Sequence, residues 1–297
     1  MSDNKALLVT GASGQLGRQV IEALLEAKAG PIIATTRDPS KLADFAARGV
    51  DVRVGDFNDP STLAAAFAGA GRLLLISTDE LATPGRRLAQ HRAAVAAAEA
   101  AGVQHVVYLS APAPYPTAES SLIGDHYWTE QALAASSLGW SFLRDHLYTD
   151  LLLMSLPHAV QTGQLFSATG QAGRNFVTRA DCARTAAAVL ASDFGGRQIL
   201  DVTGPAPLTF NDLATLAGEI AGKPVQHIAV PAEGLRQGLI GAGLPPFMAD
   251  ALVAFDVDAS KGYHAITTSV VKDWTGRDPV SVRDFLEANR AALVTAA

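Results

Sequence analysis

Leu7-Leu-Val-Thr-Gly-Ala-Ser-Gly-Gln-Leu-Gly17 is the stretch on which the fold turns. An apolar run, Ala6–Val9, leads into Gly11, Gly14 and Gly17, and these open an amphipathic segment, Gln15–Ala27. The spacing is G-x-x-G-x-x-G. Glycine without a Cβ permits a tight turn and lets the backbone approach a pyrophosphate. A helix starting there offers unpaired N–H groups and the positive end of its dipole to phosphates. A glycine triplet alone also fits an ordinary strand-to-helix turn. Here a strand before, a helix after and a second apolar run at Pro31–Thr35 predict a bound nicotinamide dinucleotide.

The end of that second run selects the dinucleotide. An NAD site usually places an acidic residue about 20 residues on, for the ribose 2′-hydroxyl. This chain has Ala34-Thr-Thr-Arg37-Asp38-Pro39, with Arg37 twenty residues after Gly17. A guanidinium there pairs with a 2′-phosphate through charge-assisted hydrogen bonds. Asp38 is the competing acid, but its place before Pro39 reads as a helix cap. NADP(H) is the expected cofactor.

Outward from this motif, apolar runs at Val50–Val54, Arg72–Ile76, Val103–Leu109 and Trp140–Leu143 alternate with helix-like stretches at Ser61–Ala68, Gly85–Ala101 and Thr129–Ser136. Near-continuous hydrophobic strands separated by helices predict an α/β, Rossmann-like, doubly wound parallel sheet. Asp59-Pro60 repeats the cap signal of Asp38-Pro39, and Gly102 stands where a helix C-terminal glycine is expected. Residues 1–145 are expected to form the cofactor-binding domain. Residues 146–297 are expected to form a smaller α/β lobe, interleaved with the sheet edge and completing a cleft. Within it, Thr209-Phe-Asn-Asp212 reads as a capping box opening a helix through Ile220.

Composition narrows the partners. The 297 residues carry a net charge of −6 without a long block of either sign, which argues against nucleic acid, whose phosphates demand clustered Lys and Arg. Cys182 is the single cysteine, so no intramolecular disulfide or cysteine metal cluster can form, and its Ala-rich setting predicts a packing role. No apolar run reaches the roughly 20 residues of a membrane span, and Met1-Ser-Asp-Asn-Lys5 lacks the features of a leader. No membrane partner and a cytoplasmic location are expected.

Val9-Thr-Gly-Ala-Ser-Gly-Gln-Leu-Gly-Arg18, Thr36-Arg37 and Gly55-Asp56-Phe57 resemble the atypical short-chain dehydrogenases of the NmrA-like group. Leu73-Leu-Leu-Ile-Ser77, Gln90-His-Arg92, Ala101–Tyr108, Phe142–Asp150 and Asp258–Gly262 resemble its bacterial quinone-oxidoreductase and triphenylmethane-reductase branch. The resemblance implies that Thr10, Gly11, Ser13, Gly14, Gln15, Leu16 and Gly17 hold the pyrophosphate and Arg37 the 2′-phosphate. It places Asp56 and Phe57 at the adenine, Ile76 and Ser77 at the inner ribose and nicotinamide, and Ser110 facing the nicotinamide. It leaves a homodimer open. Members of this branch typically carry Arg-Asn where this chain has Arg144-Asp145, so the acceptor contact there changes from a donor amide to a carboxylate.

Most short-chain dehydrogenases pair a Tyr with a Lys four residues on, the Lys lowering the Tyr pKa. Neither Tyr115 nor Tyr127 has that partner, and no Lys occurs between Lys41 and Lys223. Anchoring on Glu130 puts His126 at the usual Lys place and Leu122 at the usual Tyr place. Hydride transfer survives this loss, because the cofactor carries the redox chemistry and a quinone or dye needs positioning more than an acid. His126, His146 and Tyr148 are the polar candidates near the nicotinamide. His126 is a candidate proton donor or ribose contact, with a partly exposed helix histidine as the alternative; edge packing or a surface place is the alternative for His146 and Tyr148. His91 and His105 read as structural. The expectation is an NADPH-dependent reductase of a small conjugated acceptor. A non-catalytic NADP(H) sensor regulating a protein partner is the alternative, and isomerase or dehydratase chemistry is disfavoured by the missing pair.

Overall fold

The computed structural model describes residues 6–117 and 121–294. Its first half runs β1 (Ala6–Val9), α1 (Gln15–Glu26), β2 (Ile32–Thr36), α2 (Ala43–Ala46), β3 (Asp51–Val54), α3 (Leu63–Phe67), β4 (Ala70–Leu75), α4 (Arg86–Ala100), β5 (His105–Ser110), α5 (Leu122–Ala135) and β6 (Gly139–Asp145). Then follow β7 (Leu147–Tyr148), α6 (Leu152–Thr162), β8 (Gln164–Ser167), β9 (Arg174–Val177), α7 (Arg179–Ala191), β10 (Arg197–Val202), β11 (Pro207–Leu208) and α8 (Phe210–Ala221). β12 (Gln226–Ala229), α9 (Ala232–Gly241) and α10 (Pro246–Ser260) precede three short C-terminal helices.

Seven strands form one sheet in the order β10-β6-β5-β4-β1-β2-β3. The pairings β1/β2, β1/β4, β2/β3, β4/β5 and β5/β6 are all parallel. This is the predicted Rossmann-like doubly wound sheet. β2 and β5 are buried along their whole length and β3 is half exposed at the edge, as expected of inner and edge strands covered by helices. Strand order reverses at β1, so β1 and β4 diverge into loops leading to opposite sides. An open α/β sheet binds its ligand at that switch point, beyond the strand C-termini.

The chain divides into two compact units. The first comprises residues 1–144 and 182–200, and the second 145–181 and 201–297. In the first, Leu8, Leu73, Leu75, Val106, Phe67 and Phe142 form one buried cluster. Cys182 is fully buried, in keeping with its expected packing role. In the second, Leu156, Phe176, Leu213, Ala217 and Leu286 supply the core. Its sheets are small, β11-β9-β7 and β12-β8. The Asn175 side chain takes the N–H of Gly204 at 2.7 Å and donates to its carbonyl at 3.3 Å. A Cβ at Gly204 would stand 1.9 Å from the Phe176 carbonyl oxygen, so only glycine fits there. Thr209 and Asp212 form the expected capping box at the start of α8. Among the described residues no helix is long and apolar enough to cross a membrane.

One expectation needs correction. The helix after β5 was expected at Thr129–Ser136, yet α5 starts at Leu122, capped by Ser121, whose Oγ accepts the Gly124 N–H at 3.0 Å. In its first half Asp125 and His126 are buried beside Ile123 and Gly124, so the apolar period that marks a helix in sequence is missing there.

Arg72, inside β4, ties residues 182–200 to the sheet. Its guanidinium donates to the carbonyls of Val189, Leu190 and Phe194 at 3.1, 2.8 and 2.8 Å, at the C-terminal end of α7. The last carbonyls of a helix lack internal partners and attract a cation. Arg72→Met removes this donor from all three, Val189 keeping its bonds from Ser192 N–H and Oγ. It is expected to cost about 1–3 kcal/mol, read as a lowered urea midpoint with an unchanged slope.

Candidate functional site

The glycine turn begins where β1 ends. Gly11 adopts φ +57°, and the Gly14 N–H closes the turn onto the Gly11 carbonyl at 3.0 Å. The Ala12 N–H donates to the Thr35 carbonyl at 3.1 Å, fixing the turn against β2. A Cβ at Gly17 would lie 2.5 Å from the Gly11 carbonyl oxygen, so α1 can pack this close only with glycine there. Gly14 caps α1 without a side-chain acceptor, and no acidic residue sits in its first turn. The first N–H groups of α1 therefore lack a side-chain partner, which suits a pyrophosphate.

These residues border a cleft of about 280 Å³ at the C-terminal ends of β1 to β4. Gly11, Ser13, Gly14, Arg37, Asp56, Phe57, Ile76 and Ser77 line it. Arg37 is exposed and forms no ion pair among the described residues. Beside it Thr36 Oγ1 donates to Ser13 Oγ at 3.0 Å. Asp38, the competing acid, is committed as a cap: its Oδ1 accepts from Ser40 N at 3.1 Å and from Ser40 Oγ at 2.6 Å. Those bonds hold its carboxyl below the usual carboxylate range. Asp56 turns its Oδ1 to the Asn58 N–H at 2.9 Å, shaping the loop that carries Phe57.

Five of the residues implied for the cofactor do not line this cleft. Gln15 is exposed on α1, while Leu16 and Gly17 pack inward. Thr10 is fully buried: its Oγ1 donates to the Leu74 carbonyl and accepts the Ile76 N–H, both at 3.0 Å. Ser110 Oγ donates to Glu130 Oε1 at 2.7 Å. Glu130 in turn holds Arg144 through two bonds of 3.0 and 2.7 Å, so its carboxylate is saturated by cation and hydroxyl. Residues that sequence reading missed include Thr36, Asn58, Thr78 and Gln90. For Gln90 the only signal was its place in the quoted Gln-His-Arg run.

Behind the cleft lies a buried polar layer between α4 and α5. His126 Nε2 faces Arg87 Nη2 at 3.1 Å and its Nδ1 faces Tyr108 Oη at 2.9 Å. A guanidinium only donates, so Nε2 accepts and the hydrogen of the neutral ring sits on Nδ1, donated to the phenol. Burial, then the Arg87 charge, push the His126 pKa well below its ordinary value. His126 is therefore a fixed neutral link, not the proton donor or exposed helix residue weighed from sequence. His91 and His105 are buried, as their structural reading implied. Burial, then neighbouring Arg87, hold His91 well below its usual range; burial, then Arg72, bring His105 to about 4.

His146 and Tyr148 belong to the second unit. The His146 ring is wholly buried, with Nε2 3.7 Å from Asp201 Oδ1. Tyr148 Oη donates to Asp145 Oδ2 at 3.1 Å, and the Arg179 guanidinium lies 5.2 Å from its ring centre. Asp145 thus anchors the tyrosine three residues on. No group of three or more potential metal ligands occurs among the described residues.

Acidification tests the neutral histidines. Below about pH 6.5 the unfolded chain takes up protons that folded His91, His105 and His126 refuse, so stability falls as pH drops through that value. The expected loss from pH 7.5 to 5.5 is about 1 kcal/mol per histidine, measured by urea unfolding; a flat profile contradicts the assignment.

A family model described as NAD(P)H-binding matches residues 11–193. Quinone oxidoreductase 2 of Escherichia coli is 36% identical over 257 residues, 86% of this chain and 88% of that protein. NAD(P)H azoreductase of Xenophilus azovorans is 30% identical over 290 residues, 96% of this chain and 98% of its own. Among solved structures, the Citrobacter sp. triphenylmethane reductase complexed with NADP(H) superposes with a TM-score of 0.86 at 33% identity, covering 95% of this chain and 99% of that one. The chain belongs to the NAD(P)H-binding family, within the NmrA-like group that holds these reductases.

Proposed function

We propose that the protein is an NADPH-dependent reductase that delivers hydride to a quinone or a similar conjugated, electrophilic acceptor. The observation that carries this reading is the cleft at the sheet's switch point, with Arg37 exposed at its rim and Asp38, the acid next to it in sequence, used up as a cap. The relatives named quinone oxidoreductase, azoreductase and triphenylmethane reductase supply the acceptor class. When bound, reduced nicotinamide supplies the hydride. The chain's own residues bind and orient. The first turn of α1 receives the pyrophosphate, Arg37 with Ser13 and Thr36 the 2′-phosphate, and Ile76 and Ser77 border the inner ribose.

No Tyr–Lys pair stands by to move a proton. His126, at the usual Lys place, is neutral and aims its Nδ1–H at Tyr108. Burial raises the Tyr108 phenol above its usual value. Reduction of a quinone tolerates this, since the reduced product gains its proton from water. His146 and Tyr148 remain proposals as acceptor contacts.

The test is NADPH oxidation at 340 nm with benzoquinones, naphthoquinones and triphenylmethane dyes, with NADH as the control. Turnover of an acceptor with NADPH preferred supports the reading; tight NADPH binding without turnover across the panel turns it towards a sensor. Arg37→Ala is expected to weaken NADPH binding by at least about tenfold while NADH binding stays within twofold. Equal losses for both would remove Arg37 from the 2′-phosphate site.

A further inference from the structure

Thr78 leaves β4 on the wall of the cofactor cleft, and every polar group it owns is held by one face of α4. Its carbonyl accepts from Arg87 Nε at 2.8 Å. Its N–H donates to His91 Nε2 at 3.1 Å, and its Oγ1 donates to Gln90 Oε1 at 2.6 Å. Residues 87, 90 and 91 stand at i, i+3 and i+4, the spacing that shares a helix face. α5 backs the same face. Thr129 Oγ1 meets His91 Nδ1 at 3.0 Å and gives its own hydrogen to the Asp125 carbonyl at 2.6 Å. His126 and Asp125 meet the Arg87 fork at 3.1 and 3.6 Å. The chain before Thr78 is tied as well, Ile76 N to Thr10 and Ser77 Oγ to the Leu109 carbonyl at 2.6 Å.

Protons in this layer have only one arrangement. A backbone N–H can only donate, so His91 Nε2 carries the lone pair and Nδ1 the hydrogen. Arg87 can only donate, which gives His126 the same tautomer. Both rings are therefore preset by groups with no freedom to reverse.

A dinucleotide lying across the switch point, with its 2′-phosphate at Arg37 beyond β2, has its nicotinamide half on the β4 side. We propose that Arg87 and His91 are positioning residues for that half. They clamp Thr78 by its carbonyl and N–H, so the wall against the inner ribose and nicotinamide is shaped before the cofactor arrives. The ordering of this loop is then settled on folding rather than on binding, which tightens the complex. Arg87 cannot be replaced by lysine in this role, because one ammonium cannot span the Thr78 carbonyl and His126 Nε2 as the planar fork does. The proposal rests on the cofactor reading and not on the identity of the acceptor.

The experiment compares two ligands on the intact protein: NADPH, and 2′,5′-ADP, which has the adenosine half with its phosphates and no nicotinamide. His91→Phe keeps ring volume and removes the acceptor for Thr78 N–H; Arg87→Lys keeps charge and removes the fork. Each is expected to raise the Kd for NADPH by about tenfold and leave that for 2′,5′-ADP within twofold. His91→Gln, with an amide oxygen near the Nε2 place, is expected to recover most of the loss. Should the lysine variant fail to fold, His91→Phe, which adds no charge, carries the test. Equal weakening of both ligands would show a general structural role and overturn the proposal, as would unchanged NADPH binding. No acceptor enters the measurement, so an acceptor panel without turnover leaves this test standing. Wild-type protein that binds neither ligand would overturn the cofactor reading itself.

Discussion

Two neighbouring parallel strands must part for a ligand to enter the end of a sheet, and where they part the ladder leaves backbone groups without partners. Buried groups of that kind are costly. β1 and β4 part at Thr10, whose backbone N–H still reaches the Leu74 carbonyl at 3.1 Å. Its hydroxyl then bridges the gap, donating to Leu74 and accepting from Ile76. The side chain thereby extends the ladder by one step without a strand, and the two loops are free to diverge. The glycine turn on one side and the Ile76–Thr78 wall on the other both start from this point. Thr10 itself does not line the cleft.

The next layer out is polar where an ordinary helix–sheet interface would be apolar. Arg87, Gln90, His91, Asp125, His126, Thr129 and Glu130 are all buried. Such a layer is destabilising if half satisfied and rigid if satisfied. Arg87 is placed against Asp125, and both histidines beside it stay neutral, so one positive and one negative charge face each other across the α4/α5 contact. A protonated His91 or His126 would add a second cation next to Arg87 with no carboxylate to spare. Neutral imidazoles are thus a condition of the packing, and their lone pairs become the fixed acceptors on which Thr78 and the Arg87 fork depend.

This explains which parts of the site were legible in the sequence. The glycine turn, the Asp38 and Asp59 caps and the Thr209 capping box were readable because each is a local device, complete within a few residues. The inner strands were readable because they are buried on both faces and nearly continuously apolar. The first half of α5 was not, since beside Ile123 and Gly124 its buried side is Asp125 and His126, and nothing in a hydrophobic pattern distinguishes such polar positions from solvent ones. Ser110 and Thr10 were assigned to the cofactor from resemblance. Their side chains are instead committed across long sequence separations, to Glu130 and to Leu74 and Ile76, contacts that only the folded chain brings together.

The same layer bears on the kind of chemistry the fold can support. An alcohol or ketone substrate needs a proton moved at the reacting oxygen by a group poised near neutral pH. In the first unit the three histidines are all pushed below their usual range by burial and arginine, and Tyr108 is pushed above its own. Ser110 points its hydrogen at Glu130, and Glu130 is neutralised by Arg144. His126, at the usual Lys place, is held neutral by burial and the Arg87 charge, and the usual Tyr place is Leu122. What such a wall does offer is shape, held before the ligand arrives. An acceptor that needs orientation and takes its proton from water is the one that such a site can serve.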